Sequence, residues 1–93
     1  MTNEEILSSA IRRPDHVVRE AFAGETVMLN LNNGQYHGLN ATAGQILNAL
    51  ESEQTVERAA TRLSAGPESL DEVSRDVVGL CRDLLDRGLI ELA

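Results

Sequence analysis

SLDEVSRDVVGLCRDLLDRGLIEL, residues 69–92, sets the architecture of this chain when it is read against the short run QYHGL at 35–39. Ser69 and Glu72 have the spacing of a capping box, in which each side chain satisfies an orphan amide at a helix start. The helix then runs to Arg87, and Gly88 supplies the left-handed residue that ends it. At about 100° per residue, Val73, Val77, Leu80, Cys81 and Leu84 fall on one side. Leu70, Val78 and Leu85 widen that side past the stripe a surface helix buries. So wide an arc implies two neighbours: the core, and a partner that comes and goes. An N-terminal segment packed over Val78 and Leu85 would also cover it, and spacing alone does not separate the two.

The segments upstream supply the rest. Residues 1–14 are polar and weakly periodic; Ile6, Leu7 and Ile11 offer one helical turn or a docking point, and the expectation is a flexible tail. The folded domain is expected over 15–93. His16 to Phe22 reads as a strand that Gly24 breaks. Thr26 to Leu31 is a second, with Val27, Leu29 and Leu31 pointing one way and Met28 and Asn30 the other. Asn32-Asn33-Gly34 is a hairpin signal, and Gln35 to Leu39 follows as a third strand at the edge of an antiparallel meander. Thr42 with Gln45 marks a capping box for a helix carrying Ala43, Ile46, Leu47 and Leu50. Thr55 caps another with Val56, Ala59, Ala60 and Leu63, and Gly66-Pro67 stops it. Three strands followed by three helices make an α+β domain whose last two helices suit a helix-turn-helix.

Composition restricts function. The 93 residues make one small domain with an aliphatic core: 42% are hydrophobic, with one Tyr, one Phe and no Trp. Net charge is −7 and every basic residue is Arg, which repels nucleic acid and anionic lipid and suits a cationic partner. The lone Cys81 rules out an internal disulfide and fits a reducing, cytoplasmic setting. The N-terminus lacks the apolar run of a signal peptide, nothing is long enough to span a membrane, and Asn40-Ala41-Thr42 is a chance glycosylation match.

Three function classes compete. For catalysis the candidates are His16, His37 and Cys81, and Cys81 lies within the apolar arc as a buried residue would. No metal-ligand spacing, phosphate loop or nucleophile elbow is present, so neither enzyme activity nor a metal or other cofactor is expected. For DNA, the long helix sets Asp71, Glu72, Asp76, Asp83 and Asp86 against Arg75, Arg82 and Arg87, a net −2 where phosphate contacts need cations. Peptide binding uses what is present: an edge strand with unpaired amides and carbonyls, beside an apolar arc that supplies pockets.

GETVMLNLNNGQYHGLNATAGQILNAL (24–50), TVERAATRL (55–63) and DVVGLCRDLLDRGLIEL (76–92) together resemble the PqqD-like proteins, the recognition elements of ribosomally made, modified peptides (RiPPs). The resemblance covers about residues 16–92. His37 stands where a second aromatic is common. Glu51-Ser52-Glu53 replaces an Asp-Gly frequent in the members that act in pyrroloquinoline quinone biosynthesis, which points away from that pathway. The chain is most similar to the stand-alone protein of lasso-peptide clusters that presents a precursor to a separate leader peptidase. The resemblance implies a winged helix-turn-helix in which the leader adds antiparallel to the third strand, in the groove against the third helix. The expected peptide-binding residues are Gln35, Tyr36, His37 and Gly38 of the strand, with Ser74, Asp76, Val78, Cys81 and Leu85 of the helix. Ser74, Val78 and Leu85 lie on one flank of that helix and Asp76 and Asp83 on the other. Which flank faces the strand is open. The expected partners are a precursor peptide and a leader peptidase or other modifying enzyme, with no nucleic acid and no membrane. Other readings are a peptide chaperone in pyrroloquinoline quinone or another RiPP pathway, and a winged-helix DNA-binding regulator.

Overall fold

In the computed structural model, which describes all 93 residues, the chain runs α1 (Asn3–Leu7), β1 (Ile11–Arg12), β2 (Val17–Phe22), β3 (Glu25–Asn30), β4 (Tyr36–Leu39), α2 (Ala41–Ser52), α3 (Val56–Leu63), α4 (Pro67–Asp86), β5 (Glu91–Leu92). This is an α+β fold. Its main sheet is antiparallel in the order β2-β3-β4, so the expected meander forms and β4 has one free edge. A second, two-stranded sheet pairs β1 with β5.

Turn chemistry fixes the register. Ala23 and Gly24 both have positive φ (53° and 82°), as a two-residue hairpin turn matched to strand twist requires. Val17 therefore opposes Asn30, and Phe22 opposes Glu25. Between β3 and β4, Gly34 takes φ 73° and its N–H donates to the Asn30 carbonyl at 2.8 Å, while Asn30 N–H donates to the Gln35 carbonyl at 2.8 Å. Thr26 then opposes Leu39, and Leu29 opposes Tyr36. The alternation of β3 holds, and its buried side is Thr26, Met28 and Asn30. Val27 and Leu29 are half-buried on the outer side and Leu31 is exposed. α2 decides this. Gly44 lies so close that a Cβ there would come within 2.8 Å of Thr26 Oγ1, so helix and sheet pack through the smallest residue.

Two helix starts differ from expectation. Asn40 caps α2, its Oδ1 accepting the Ala43 N–H at 2.8 Å, which makes Thr42 an interior residue. Pro67 opens α4 at its first turn, where the missing N–H costs nothing, instead of only stopping α3. Ser69 Oγ, inside that turn, accepts the amides of Ala65 and Gly66. Thr55 caps α3 as expected, accepting the Arg58 N–H at 3.2 Å. Gly88, with φ 71°, follows the end of α4.

The N-terminal segment corrects a larger expectation. Residues 1–14 are folded onto the body. Thr2 and Glu5 form a reciprocal capping box at 3.1 Å in each direction, and the Thr2 N–H donating to the Glu5 carboxyl, with the Thr2 hydroxyl beside it, holds that carboxyl below the usual carboxylate range. Ile6 is fully buried in the one aliphatic core, with Leu47, Val56, Val77, Cys81 and Leu84. The Ser9 carbonyl accepts the Val56 N–H at 2.9 Å, and β1 lies on β5 with Ile11 opposite Leu92. A five-residue helix is too short to show a period in sequence, and a strand pair joining the two ends of the chain has no local signal.

Candidate functional site

The free edge of β4 and the adjoining flank of α4 define the site. Asn30 and Gln35 are a hydrogen-bonded pair across β3 and β4. Such pairs recur at every second residue of an antiparallel ladder, so His37 and Leu39 turn their backbone groups toward β3. Tyr36 and Gly38 turn theirs to the open edge. Side chains follow the register. His37 opposes Met28 and shares its inner face, whereas Tyr36 and Gly38 oppose Leu29 and Val27 on the outer face.

His37 meets α4 directly. Its Nε2 lies 3.6 Å from Asp83 Oδ2, and Asp83 Oδ1 accepts Arg87 Nε at 3.0 Å. The helix flank facing the strand is therefore the one carrying Asp76, Leu80, Asp83 and Arg87, which recur at spacings of three and four. A hollow of about 220 Å³ lies at its C-terminal end, between Tyr36 and His37 on one side and Asp86, Arg87 and Leu89 on the other. At the N-terminal end Asp76 and Val73 line a smaller hollow of about 140 Å³, with Ile46 and Leu63 as its apolar wall. The first hollow joins β4 to α4, whereas the second is walled by α2, α3 and α4. A larger hollow of about 570 Å³, between Glu53 and Arg62, is lined by no hydrophobic residue.

The expected site residues thus divide. Gln35, Tyr36, His37 and Gly38 lie together on or beside the open edge, and Asp76 lies on the facing flank. The remaining four do not join them. Ser74 lines a hollow with Glu4 and Leu7 of α1. Val78 is 5% exposed and Cys81 fully buried, both within the core. Leu85 is half-buried on the flank of Arg82, whose guanidinium donates to the Met1 carbonyl at 3.0 Å and Asn3 Oδ1 at 2.7 Å. Ser74 and Arg82 of that flank meet the N-terminal segment, while Val78 lies in the core and Leu85 packs against it. Burial also pushes the Cys81 thiol up from its ordinary 9.0 to about 12, which removes the thiolate a nucleophile or metal ligand needs.

Asp83, which the sequence places with Asp76 on one of two possible flanks, meets His37 directly, and Asp86, Arg87 and Leu89 line the hollow beside it with no local sequence signal that sets them there.

The family model described as Coenzyme PQQ synthesis protein D (PqqD) matches residues 25–90. This chain belongs to the PqqD family. The matched span covers β3, β4 and all of α2 to α4, hence both walls of the groove, and the resemblance read from the sequence holds. Among solved structures, the PqqD-family chain is similar to TbiB1, determined in complex with the TbiA(beta) leader peptide. The two share 28% identity and a TM-score of 0.74, over 86% of this chain and 94% of that one. It also shares its fold with a lasso peptide synthetase B1 complexed with the leader peptide, at 23% identity and a TM-score of 0.79, over 89% of this chain and 99% of the other. No curated protein matches the chain significantly in sequence.

Proposed function

We propose that this PqqD-family protein binds the leader segment of a ribosomally synthesised precursor as a strand added antiparallel to β4, between β4 and α4. It presents that precursor to a leader peptidase in lasso-peptide-type biosynthesis. The observation that carries the reading is the unpaired edge at Tyr36 and Gly38, set beside α4 with a hollow between them at Asp86, Arg87 and Leu89. An added strand satisfies those backbone groups, and its alternate side chains reach the helix. The leader peptide held by TbiB1, the similar structure at 28% identity, supports it. Asp76, Asp83 and Asp86 along the flank favour a leader with Lys or Arg near its anchors.

In this reading the protein is a binding partner and not a catalyst, consistent with the protonated, buried Cys81 thiol. The finer architecture is a winged helix-turn-helix, supported by three successive helices after the sheet. Residues 15–93 are the peptide-binding domain, with α1 and β1 as an N-terminal addition, and the setting is the cytoplasm, which suits a free thiol. Pyrroloquinoline quinone biosynthesis is disfavoured by Glu51-Ser52-Glu53. DNA regulation is disfavoured by the acidic α4.

Amide exchange tests the proposal. Addition of the cognate leader should slow exchange at Tyr36 and Gly38, while His37 and Leu39, already bonded to β3, change little. Protection confined to α1 and β1 would place the peptide on the wrong surface and refute the reading.

A further inference from the structure

The sheet has an outer face that no element of the chain covers. By register it carries Val18, Leu29 and Tyr36 in one cross-strand row, and Glu20, Val27 and Gly38 in the next. Val18, Val27 and Leu29 are half-buried, and Tyr36 is 77% exposed. Gly38 interrupts this apolar surface at the edge, where a Cβ would meet nothing within 4 Å. Its φ is not positive, so backbone conformation does not require glycine there. The glycine leaves open space at the edge of that face, a shallow trough that by register lies beside Tyr36 and next to Val27.

We propose that a peptide bound along β4 is read on both faces of the sheet, and that the trough over Gly38 takes one large aromatic or aliphatic side chain from its outward row. This rests on the leader-binding reading and adds a second specificity element to it. In an added antiparallel strand the residue opposite Gly38 points outward, and its inward neighbours face His37 and Leu39. Its Cα stands two strand spacings, about 10 Å, from that of Val27. An aromatic ring laid across Gly38 spans that gap and stacks beside Tyr36. An aromatic side chain covering a glycine in the neighbouring strand stabilises a sheet by shielding backbone and filling the missing volume. Glu20 and Glu25 share the face and no cation does, so a second copy of this sheet would set like charge against like. An uncharged side chain from the peptide meets no such opposition.

The test is selection of random 12-residue peptides displayed against the immobilised full-length protein, repeated with Gly38→Val and with Tyr36→Ser. Neither variant disturbs the fold: position 38 has open space and Tyr36 is on the surface. Peptides enriched on the wild type should carry large apolar residues in two sets an odd number of positions apart, one set for the helix side and one for the trough. Gly38→Val should lose the trough set and keep the other, and Tyr36→Ser should likewise lose the trough set. A wild-type-selected peptide should bind each variant at least tenfold more weakly, 1.4 kcal/mol, and replacing its trough residue by Ser should abolish that difference. Apolar preference on one parity alone, or selection unchanged by both variants, overturns the two-faced readout and leaves leader binding standing. Selected peptides that fail to protect the Tyr36 and Gly38 amides overturn both.

Discussion

Ile6→Ala measures how much of the fold depends on the N-terminal segment. Ile6 is the one fully buried side chain of a five-residue helix, and it lies in the same core as Val77, Cys81 and Leu84 of α4. Truncating a buried Ile to Ala costs about 2–5 kcal/mol, from lost transfer energy and the cavity left behind. We take about 3 kcal/mol, because so short a helix can settle partly into the space. A domain of this length is stable by about 5–14 kcal/mol, so the variant folds but is visibly weakened. Its melting temperature should fall by about 12–24 °C, at 4–8 °C per kcal/mol. With a urea m-value of about 1 kcal/mol/M, the unfolding midpoint should fall by about 3 M. Both are read by far-UV circular dichroism, since the chain has no Trp. A flexible tail would respond by less than about 0.5 kcal/mol. A melting temperature within about 2 °C of wild type would refute the placement of α1.

Two further outcomes follow from α4. Val78→Asp removes a buried side chain worth about 1.5–3 kcal/mol and places a carboxylate in the core at a cost of several kcal/mol more. The variant should lose cooperative melting altogether; a well-folded Val78→Asp protein that only binds peptide poorly would return this flank to the groove. For Cys81, the folded state holds the thiol protonated to about 12 while the unfolded chain releases the proton near 9. Above pH 9 the unfolded state therefore binds fewer protons, and stability falls as pH rises toward 12. The chain has no Lys and its single Tyr is exposed, so Cys81→Ala should remove most of the difference between urea midpoints at pH 7 and pH 10.

Local chemistry made much of this protein legible in its residues. Asn33-Gly34 announced the turn before β4, and alternation announced β3. The apolar spacing of 43–50, 56–63 and 70–85 announced α2, α3 and α4, since each of these signals is carried by a few neighbouring residues. The strand half of the candidate site came with them: an edge strand at the end of a meander is a property of chain order. The helix half did not. Periodicity measures how wide an apolar arc is and is silent on which neighbour occupies each margin. Packing put Val78 into the core and Ser74 beside α1, and brought Asp83 to His37 of β4. The same limit hid the buried face of β3, where both sides are apolar enough and Gly44 of α2 made the choice. It also hid β1 and β5, two residues each and 79 positions apart between Arg12 and Glu91, whose pairing exists only when the core has brought the ends of the chain together.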